Sequence, residues 1–344
     1  MKIVVLAGGL SPERDVSLSS GSLIANALLD RGHEVLLLDL YYGAMEEEQS
    51  EFRRGADAPR YHYAVPEAEP DLDALIAANG GRATPIGPRV LELAAQADVA
   101  FLALHGGMGE NGQLQAVLDA HGIRYTGSDY LGCAIAMDKD LSKVLMRSAG
   151  VPTPDWKTYP VGTATPEAIG ADVGLPCAIK PVGCGSSVGV SLVYDYDALR
   201  SALTLAEKYR QSVMAEVLVK GREFSVGVLG GKALPVIEIV PKQGFYDYKN
   251  KYQAGCTQEI CPAPLTGEET ARVQALAERA HAALRLGSYS RIDFLMDEQG
   301  DFWCLEANNL PGMTPVSLLP QEAAAAGTDY PTLCEKLAVM ALER

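Results

Sequence analysis

The sequence predicts an α/β region followed by an α+β region, and these regions form more than one domain. Three observations support this prediction. Residues 3–40 show the pattern of a strand, a helix and a second strand, which opens a parallel sheet. Later segments show the pattern of antiparallel hairpins separated by helices. The length of 344 residues is typical of two or three domains.

The composition is typical of a globular protein and unfavourable for binding to nucleic acid or anionic membranes. Apolar residues make up 48% of the chain and charged residues 21%, with a formal net charge of −15. Such an acidic chain repels nucleic acid and anionic membranes, so we expect neither as a partner. No signal peptide and no apolar run of roughly 20 residues is present, and the seven cysteines form no C-x-x-C pair. These features predict a cytoplasmic protein with reduced thiols.

The elements of the first half are predicted from apolar runs and from the glycines that end them. The run at 3–7 is continuous and ends at Gly8-Gly9, as expected for a strand buried on both faces. Residues 41–90 are irregular and predict an elaborated connection that contains a helix. The remaining predicted elements are a helix at 17–29, strands at 34–40 and 99–104, and a helix at 112–120.

The composition changes near residues 123–127, where a second region is predicted to begin. Gly230-Gly231 separates two apolar runs and predicts a hairpin, and the turn at 297–300 predicts another. Residues 244–256 are polar and aromatic and predict a long functional loop. The other predicted elements are helices at 138–149, 272–286 and 331–344, strands at 177–180 and 213–219, hairpin strands at 224–229 with 233–240 and 290–296 with 301–305, and a glycine-rich loop at 183–189.

The glycine-rich loop at 183–189 is a candidate phosphate site. Its glycines allow backbone N–H groups to converge on an anion, and Ser186 and Ser187 add hydroxyl donors. Lys180 lies three residues before its first glycine and adds a positive charge. The spacing fits neither a P-loop nor a dinucleotide fingerprint, so an ordinary turn is the alternative.

The second hairpin predicts a magnesium site. Strand alternation puts Arg291 and Asp293 on one face, and Glu306 and Asn308 likewise share one face. The oxygen atoms of Asp293, Glu306 and Asn308 are hard ligands that suit Mg²⁺. The alternative is a solvated face of an antiparallel sheet. The following Pro-Gly turn presents the N–H of Gly312, which is suited to an oxyanion.

Two polar loops follow strand ends, where open α/β sheets bind ligands. Glu13 lies in the first and is suited to an ammonium group. The alternative is a helix N-cap at Ser17 or Asp15 with Glu13 merely exposed, and this motif taken alone favours the cap. His105 opens the second, glycine-rich loop, and the alternative is a structural histidine.

Three lysines and one aromatic loop complete the candidates. Lys139, Lys180 and Lys251 are candidate phosphate contacts, or else solvated surface lysines. The loop that contains Phe245 and Tyr252 is suited to a lid that excludes water, and the alternative is a surface loop packed on the body of the protein.

These motifs, taken in order over nearly the whole chain, resemble the D-alanine–D-alanine ligases of the ATP-grasp superfamily. Each motif is weak alone, and their agreement in order is specific. The matching motifs are Gly8-Gly9 with Ser11-x-Glu13-Arg14-x-Val16-Ser17, His105-Gly106 with Gly109-Glu110-x-Gly112, Tyr125-Thr126-Gly127-Ser128, Met137-Asp138-Lys139, Lys180-Pro181, Gly185-Ser186-Ser187-Val188-Gly189, Gly221-x-Glu223, Phe245-Tyr246-Asp247-Tyr248, Lys251-Tyr252, Arg291-x-Asp293, and Glu306-x-Asn308 with Pro311-Gly312-Met313-Thr314.

The resemblance implies an ATP-grasp fold with an N-terminal Rossmann-like (preATP-grasp) domain. It implies a substrate domain at 1–127, a central ATP-grasp subdomain at 128–215, and a C-terminal subdomain with the metal site and lid at 216–344. ATP is expected between the second and third domains, and a homodimer is expected.

The resemblance also implies roles for individual residues. Two Mg²⁺ ions, or Mn²⁺ in their place, are expected on Asp293, Glu306 and Asn308, with Glu306 bridging. The implied ATP contacts are the lysines Lys139, Lys180 and Lys251, the adenine and ribose residues Glu216, Val217, Val219 and Glu223, and Ser187 and Phe245. Glu13 and His105 are implied to bind the amino and carboxylate groups of the first D-alanine. Arg291, Gly312, Ser317 and Leu318 are implied for the oxyanion and the carboxylate of the second D-alanine.

The implied reaction joins two D-alanines at the expense of ATP, through a D-alanyl phosphate, for peptidoglycan precursors. Ser186, Tyr252 and Glu13 resemble the hydrogen-bonded set of dipeptide-forming members, which favours D-alanine over D-lactate or D-serine as nucleophile. A non-catalytic nucleotide-binding regulator is disfavoured because Arg291 and the metal residues are present. Asn111 and Asn309 depart from the usual family residues, and we expect little effect from Asn309.

Overall fold

A four-stranded sheet of order β3-β2-β1-β4 forms the N-terminal part of the computed structural model, which describes residues 1–66, 68–185, 189–241 and 257–343. β1 pairs in parallel with β2 and β4, and β3 is antiparallel at the edge. Its strands are β1 (Lys2–Ala7), β2 (Glu34–Asp39), β3 (Arg53–Arg54) and β4 (Val99–Leu102). Its helices are α1 (Arg14–Asp30), α2 (Leu72–Ala78), α3 (Val90–Ala95), α4 (Gly107–Glu110) and α5 (Gln113–Ala120), with a 3₁₀ turn at Glu47–Ser50.

A second four-stranded sheet, of order β5-β8-β6-β7, forms the central part and is antiparallel throughout. Its strands are β5 (Trp156–Tyr159), β6 (Cys177–Pro181), β7 (Ser191–Val193) and β8 (Val213–Val217). The helices of this stretch are α6 (Tyr130–Met137), α7 (Lys139–Ser148), α8 (Pro166–Asp172) and α9 (Tyr196–Glu207). The predicted domain boundary between residues 215 and 216 falls inside β8.

A six-stranded antiparallel sheet follows, of order β12-β11-β9-β13-β14 with β10 paired to β9. Its strands are β9 (Arg222–Leu229), β10 (Lys232–Ala233), β11 (Ile237–Pro241), β12 (Thr257–Ile260), β13 (Tyr289–Met296) and β14 (Phe302–Asn308). Helices α10 (Gly267–Ala283), α11 (Leu318–Ala325) and α12 (Tyr330–Leu342) complete the described chain.

Two of the hydrophobic cores combine residues from distant parts of the sequence. The N-terminal core includes Leu319 of α11 and Leu333 and Leu337 of α12, all fully buried, so the C-terminal helices pack on the first sheet. The core under the six-stranded sheet includes Met146 of α7. Long-range packing therefore fixes the three sheets relative to one another.

Both predicted hairpins are confirmed, and one predicted strand is wrong. The single strand expected at 233–240 is divided into β10 and β11, because Pro235 lies between them and has no N–H to donate to a ladder. The helix predicted at 272–286 begins earlier, at Gly267, where Thr266 and Glu269 form a reciprocal cap. The prediction missed short elements, among them α6, β5, β7 and α11. Within the described residues, no helix is long and apolar enough to cross a membrane.

Candidate active site

One face of the six-stranded sheet carries most of the predicted polar residues. Arg291 lies opposite Asn308 and Asp293 lies opposite Glu306 in the antiparallel register of β13 and β14. Directly opposite residues project from the same face, so the four side chains lie together. Ile292 and Phe294 are fully buried on the other face. The predicted alternation is confirmed.

Asp293 is the hydrogen-bonding centre of this polar face. One of its oxygens accepts from Arg291 Nε at 2.9 Å and the other from Arg291 Nη2 at 2.8 Å. Ser225 Oγ donates to it at 2.8 Å and Asn308 Nδ2 at 3.0 Å. Because two parallel bonds hold the guanidinium, its plane and direction are fixed. Asp293 is only 6% exposed, so the alternative of a solvated face is wrong here.

The same face borders a cavity of about 480 Å³ between the central and six-stranded sheets. Cationic, anionic and apolar side chains all line it, which suits a ligand with a charged end and a flat apolar end. The predicted ATP and metal residues on its wall are Lys139, Lys180, Glu216, Val217, Val219, Glu223, Asp293 and Glu306.

A buried ionic group, Lys143–Glu216–Lys180, anchors the cavity wall. Glu216 is 3% exposed and accepts from Lys180 Nζ and from Lys143 Nζ, both at 2.5 Å. Burial alone would raise the pKa of Glu216, but Lys180 and Lys143 outweigh it and hold that pKa below its usual value. Burial also disfavours the charged form of Lys143 and lowers its pKa. The Glu216 side chain therefore orients Lys180.

Lys139 begins helix α7 at the other side of the cavity. The Asp138 carboxylate caps that helix by accepting from Leu141 N at 3.0 Å. Lys139 Nζ donates to the carbonyl oxygen of Cys184 at 2.5 Å and lies 3.8 Å from Glu306 Oε2. Its side chain is 12% exposed and that of Lys180 is 14% exposed, so neither is a solvated surface lysine.

The two N-terminal loops form a second polar group beside the sheet. Glu13 is 7% exposed, so the alternative of an exposed glutamate is wrong. Ser17 is not a helix cap, because its hydroxyl donates to Ala103 O and accepts from Gly8 N. A Cβ on Gly106 would lie 3.0 Å from Glu13 Oε2, so the absence of a side chain at this left-handed position lets the two loops meet.

His105 is a buried histidine in an acidic environment. It is 7% exposed, its Nδ1 lies 3.9 Å from Glu110 Oε1, and its buried Nε2 has no hydrogen-bond partner in the described part of the chain. Burial alone would lower its pKa, but Glu110 and Glu13 outweigh burial and Arg291, so the pKa of His105 is raised. These interactions bring the N-terminal loops and Arg291 into one site.

The segment after β14 leads into helix α11. Ser317 is the N-cap residue of that helix, and its hydroxyl contacts Thr314 Oγ1 at 2.8 Å. The first N–H groups of a helix, including that of Leu318, have no partner within the helix and favour anions. A Cβ on Gly312 would lie 3.0 Å from Ser317 Oγ, so residue 312 must be small for this approach.

Asn309 has a larger role than the sequence indicated. Its side-chain amide is 3% exposed and donates to Glu110 O at 2.8 Å and to Cys133 O at 3.3 Å. Asn309 thus connects the His105 loop to the end of β14, the strand that carries Glu306 and Asn308. The expectation of little effect from this residue is unsupported by its contacts.

Five predicted residues lie outside the described part of the chain: Ser186, Ser187, Phe245, Lys251 and Tyr252. Conversely, sequence reasoning missed Lys143 and the fully buried Glu322. A signal existed for both, since Lys143 follows Lys139 by one helical turn and Glu322 is an isolated acid within an apolar stretch.

Two family models match the chain and together span most of it. The model described as D-ala D-ala ligase N-terminus matches residues 2–128, and the one described as D-ala D-ala ligase C-terminus matches residues 145–339.

Curated relatives and solved structures agree with these models. A D-alanine–D-alanine ligase of Pediococcus pentosaceus is 41% identical and covers 98% of this chain and 96% of its own length. One from Desulfotalea psychrophila is 39% identical, with 100% and 96% coverage. The crystal structure of the Bacillus anthracis D-alanine–D-alanine ligase complexed with ATP is similar with a TM-score of 0.76, at 30% identity, and covers 100% of this chain and 97% of that one. The similarity extends over whole chains in each case.

Proposed function

This chain belongs to the D-alanine–D-alanine ligase family, and from that premise we propose how its residues carry out the ligation. The enzyme joins two D-alanines with ATP to give D-alanyl-D-alanine, ADP and phosphate for peptidoglycan synthesis. The observation that carries the proposal is the series of interactions that leads from the cavity wall at Asp293 through Arg291 to His105. ATP and D-alanine are substrates of matching shape and charge for its two ends.

ATP is assigned to the cavity between the sheets. Among its lining residues, Val217, Val219 and Glu223 suit the adenine and ribose, and Lys139 and Lys180 suit the phosphates. Glu216 acts through Lys180, since its carboxylate is already occupied by two lysines. The complex of the structural neighbour with ATP supports ATP as the nucleotide substrate.

Magnesium is assigned to Asp293, Glu306 and Asn308. The residue types fit the ion, because two carboxylates and one amide lie on one face of the sheet and Glu306 lies 3.8 Å from Lys139. Asp293 accepts four hydrogen bonds, so it would exchange one of them for the metal. Mg²⁺ prefers oxygen ligands and usually combines one or two carboxylates with substrate phosphates. When bound, the metal supplies charge neutralisation at the phosphates.

The two D-alanines are assigned to the groups around His105 and Arg291. Glu13 suits the ammonium group of the first D-alanine, and protonated His105 suits its carboxylate. The N-terminus of α11, at Ser317 and Leu318, suits the carboxylate of the second D-alanine. Arg291 and the N–H of Gly312 then lie on the side where the oxyanion develops.

The chemistry has two steps. A carboxylate oxygen of the first D-alanine attacks the γ-phosphorus of ATP, the bond to ADP breaks, and D-alanyl phosphate forms. The neutral amine of the second D-alanine attacks the acyl carbon, phosphate leaves, and the amine proton is lost. Arg291, fixed by Asp293, stabilises the negative charge of the tetrahedral intermediate. The roles of Ser186, Ser187, Phe245, Lys251 and Tyr252 stay predictions from the family resemblance.

The test of this function is phosphate release from Mg-ATP with D-alanine, compared with mixtures in which D-lactate or D-serine accompanies D-alanine. L-alanine is the control. We expect phosphate and dipeptide in equal amounts with D-alanine alone. A preference for D-lactate or D-serine would overturn the choice of nucleophile, and no activity with any of them would overturn the function.

We expect a pH dependence in the binding of the first D-alanine. Because the pKa of His105 is raised by Glu110 and Glu13, the cationic form persists to higher pH than in a free histidine. KM for the first D-alanine should rise as the pH rises through this pKa, because the cation is lost. In a Glu110→Gln variant the rise should occur at lower pH. His105→Gln is the control and should remove the rise, and an unchanged pH profile in both variants would contradict the role.

A Glu306→Gln variant should raise the Mg²⁺ concentration that gives half-maximal turnover by about tenfold or more, because a charged ligand becomes neutral. Titration of Mg²⁺ at saturating ATP measures this effect. Binding of ATP without metal serves as the control and should not weaken, since Lys139 loses only a carboxylate at 3.8 Å. An unchanged Mg²⁺ requirement would remove Glu306 from the metal site.

A cytoplasmic location and a homodimer complete the proposal. The first is supported by the use of ATP as co-substrate, and the second by the family resemblance. Light scattering after size-exclusion chromatography tests the dimer.

A further inference from the structure

The carboxyl group of Glu322 lies in a buried position that lowers the free energy of unfolding. It lies in helix α11 and is 0% exposed, and neither side-chain oxygen has a hydrogen-bond partner among the described residues. Burying a carboxyl without partners is unfavourable, and an apolar side chain of similar size is usually better for stability. Residues that lower the stability of a protein in this way are often found at functional sites.

Glycine at position 227 makes room for this carboxyl. A Cβ built on Gly227 would lie far inside contact distance of Glu322 Oε2, so the carboxyl occupies the space above residue 227. Gly227 lies directly opposite Arg291 in the register of β9 and β13. Opposite residues of an antiparallel pair project from the same face. Glu322 therefore lies on the face that carries Arg291.

The charges around Glu322 agree with this placement. Burial raises the pKa of Glu322 well above its usual value, Arg291 opposes that rise, and Asp293 adds to it. The backbone N–H of Gly227 also favours the charged form, although it makes no hydrogen bond of normal geometry to either oxygen. Glu322 and Asp293 are thus two acidic groups that interact with one guanidinium.

We propose that Glu322 is a positioning residue, whose carboxyl above Gly227 orients Arg291 for the attack of the second D-alanine. Asp293 holds the Nε and Nη2 edge of the guanidinium by two hydrogen bonds. Glu322, which lies above Gly227, acts on the guanidinium by charge interaction and not by a hydrogen bond. The same residue lies one turn after Leu318, so it also ties the N-terminus of α11 to the sheet that carries Arg291. This inference rests on the proposed role of Arg291 in the ligation.

The test compares Glu322→Gln with Glu322→Met in the full-length enzyme. Both side chains have nearly the length of glutamate, but only glutamine keeps a polar end. We expect Glu322→Gln to stay within about threefold of the parent in kcat, and Glu322→Met to lose about tenfold or more, because a small displacement of a reacting group is costly. The Kd for ATP should be unchanged in both variants. The thermal midpoint of Glu322→Met should equal or exceed that of the parent.

Gly227→Ala offers a second approach, because it moves the carboxyl without deleting it. It should lower kcat with D-alanine in the same direction as Glu322→Met. Ser20→Ala is a matched control, since Ser20 Oγ is also buried without a hydrogen-bond partner in the described chain, and it should leave kcat unchanged.

Equal kcat and KM for D-alanine in Glu322→Met and the parent would overturn the proposal. Equal losses in both variants, together with a lower thermal midpoint, would also overturn it, because that pattern indicates packing alone. The parent enzyme is assayed alongside the variants. If the parent is inactive with D-alanine, the proposed function is refuted. If the parent is active and Glu322→Met has the same kinetics, only this inference is refuted.

Discussion

Replacement of Arg291 by alanine is expected to lower kcat by about 10³-fold, because a single donor to a developing oxyanion contributes on this scale. Arg291→Lys should recover little, since an ammonium cannot reproduce the two parallel bonds to Asp293 at 2.9 and 2.8 Å. Steady-state kinetics with D-alanine measures the loss.

ATP binding separates this role from a structural one. Arg291 is not among the lining residues of the cavity proposed for ATP, so calorimetric Kd values for ATP should change by no more than about threefold, a small free-energy difference. Loss of ATP affinity with retained kcat would show that the residue serves the nucleotide instead. The thermal midpoint should be recorded as well, because the substitution leaves Asp293 with fewer partners.

Glu216→Gln is expected to lower the free energy of unfolding by about 3–5 kcal/mol, because it leaves the buried cations Lys143 and Lys180 without their shared carboxylate. Urea denaturation measures this change. The pKa of Glu216 is held below its usual value, so the stabilisation is present above pH 4.5 and is lost as the pH falls through the lowered value.

A double variant tests the cause of this loss. Adding Lys143→Met to Glu216→Gln removes one of the two unpaired cations and should recover part of the stability. Asp197→Asn, which breaks a surface pair with Arg200 in the same region, is the control and should leave the midpoint unchanged. A double variant no more stable than the single one would show that the Lys143–Glu216–Lys180 group is not coupled.

The face of the six-stranded sheet that carries the candidate metal ligands could be predicted from the sequence, because it depends only on residues close together in the chain. Arg291, Asp293, Glu306 and Asn308 lie on two strands joined by a short turn, and period-two alternation is enough to place them on one face. The first strand and its glycine stop are predictable for the same reason.

The remaining parts of the site depend on contacts distant in sequence. Lys143 follows Lys139 by one helical turn, but its partner, Glu216, lies 73 positions away and is known only from the structure. Glu322 required both an unpredicted helix and the space above Gly227 on another strand. The break between β10 and β11 follows from Pro235 alone, because a proline has no N–H for the ladder even within an apolar run.

The packing of α11 and α12 on the first sheet has a consequence for synthesis on the ribosome. The apolar face of that sheet is completed by Leu319, Leu333 and Leu337. Arg31 and His33, at the end of α1 and the start of β2, pair with Glu335. The segment translated first therefore has no finished interior until α12 has emerged. We therefore expect a nascent or truncated chain that ends before α11 to expose apolar surface of the first sheet and to aggregate.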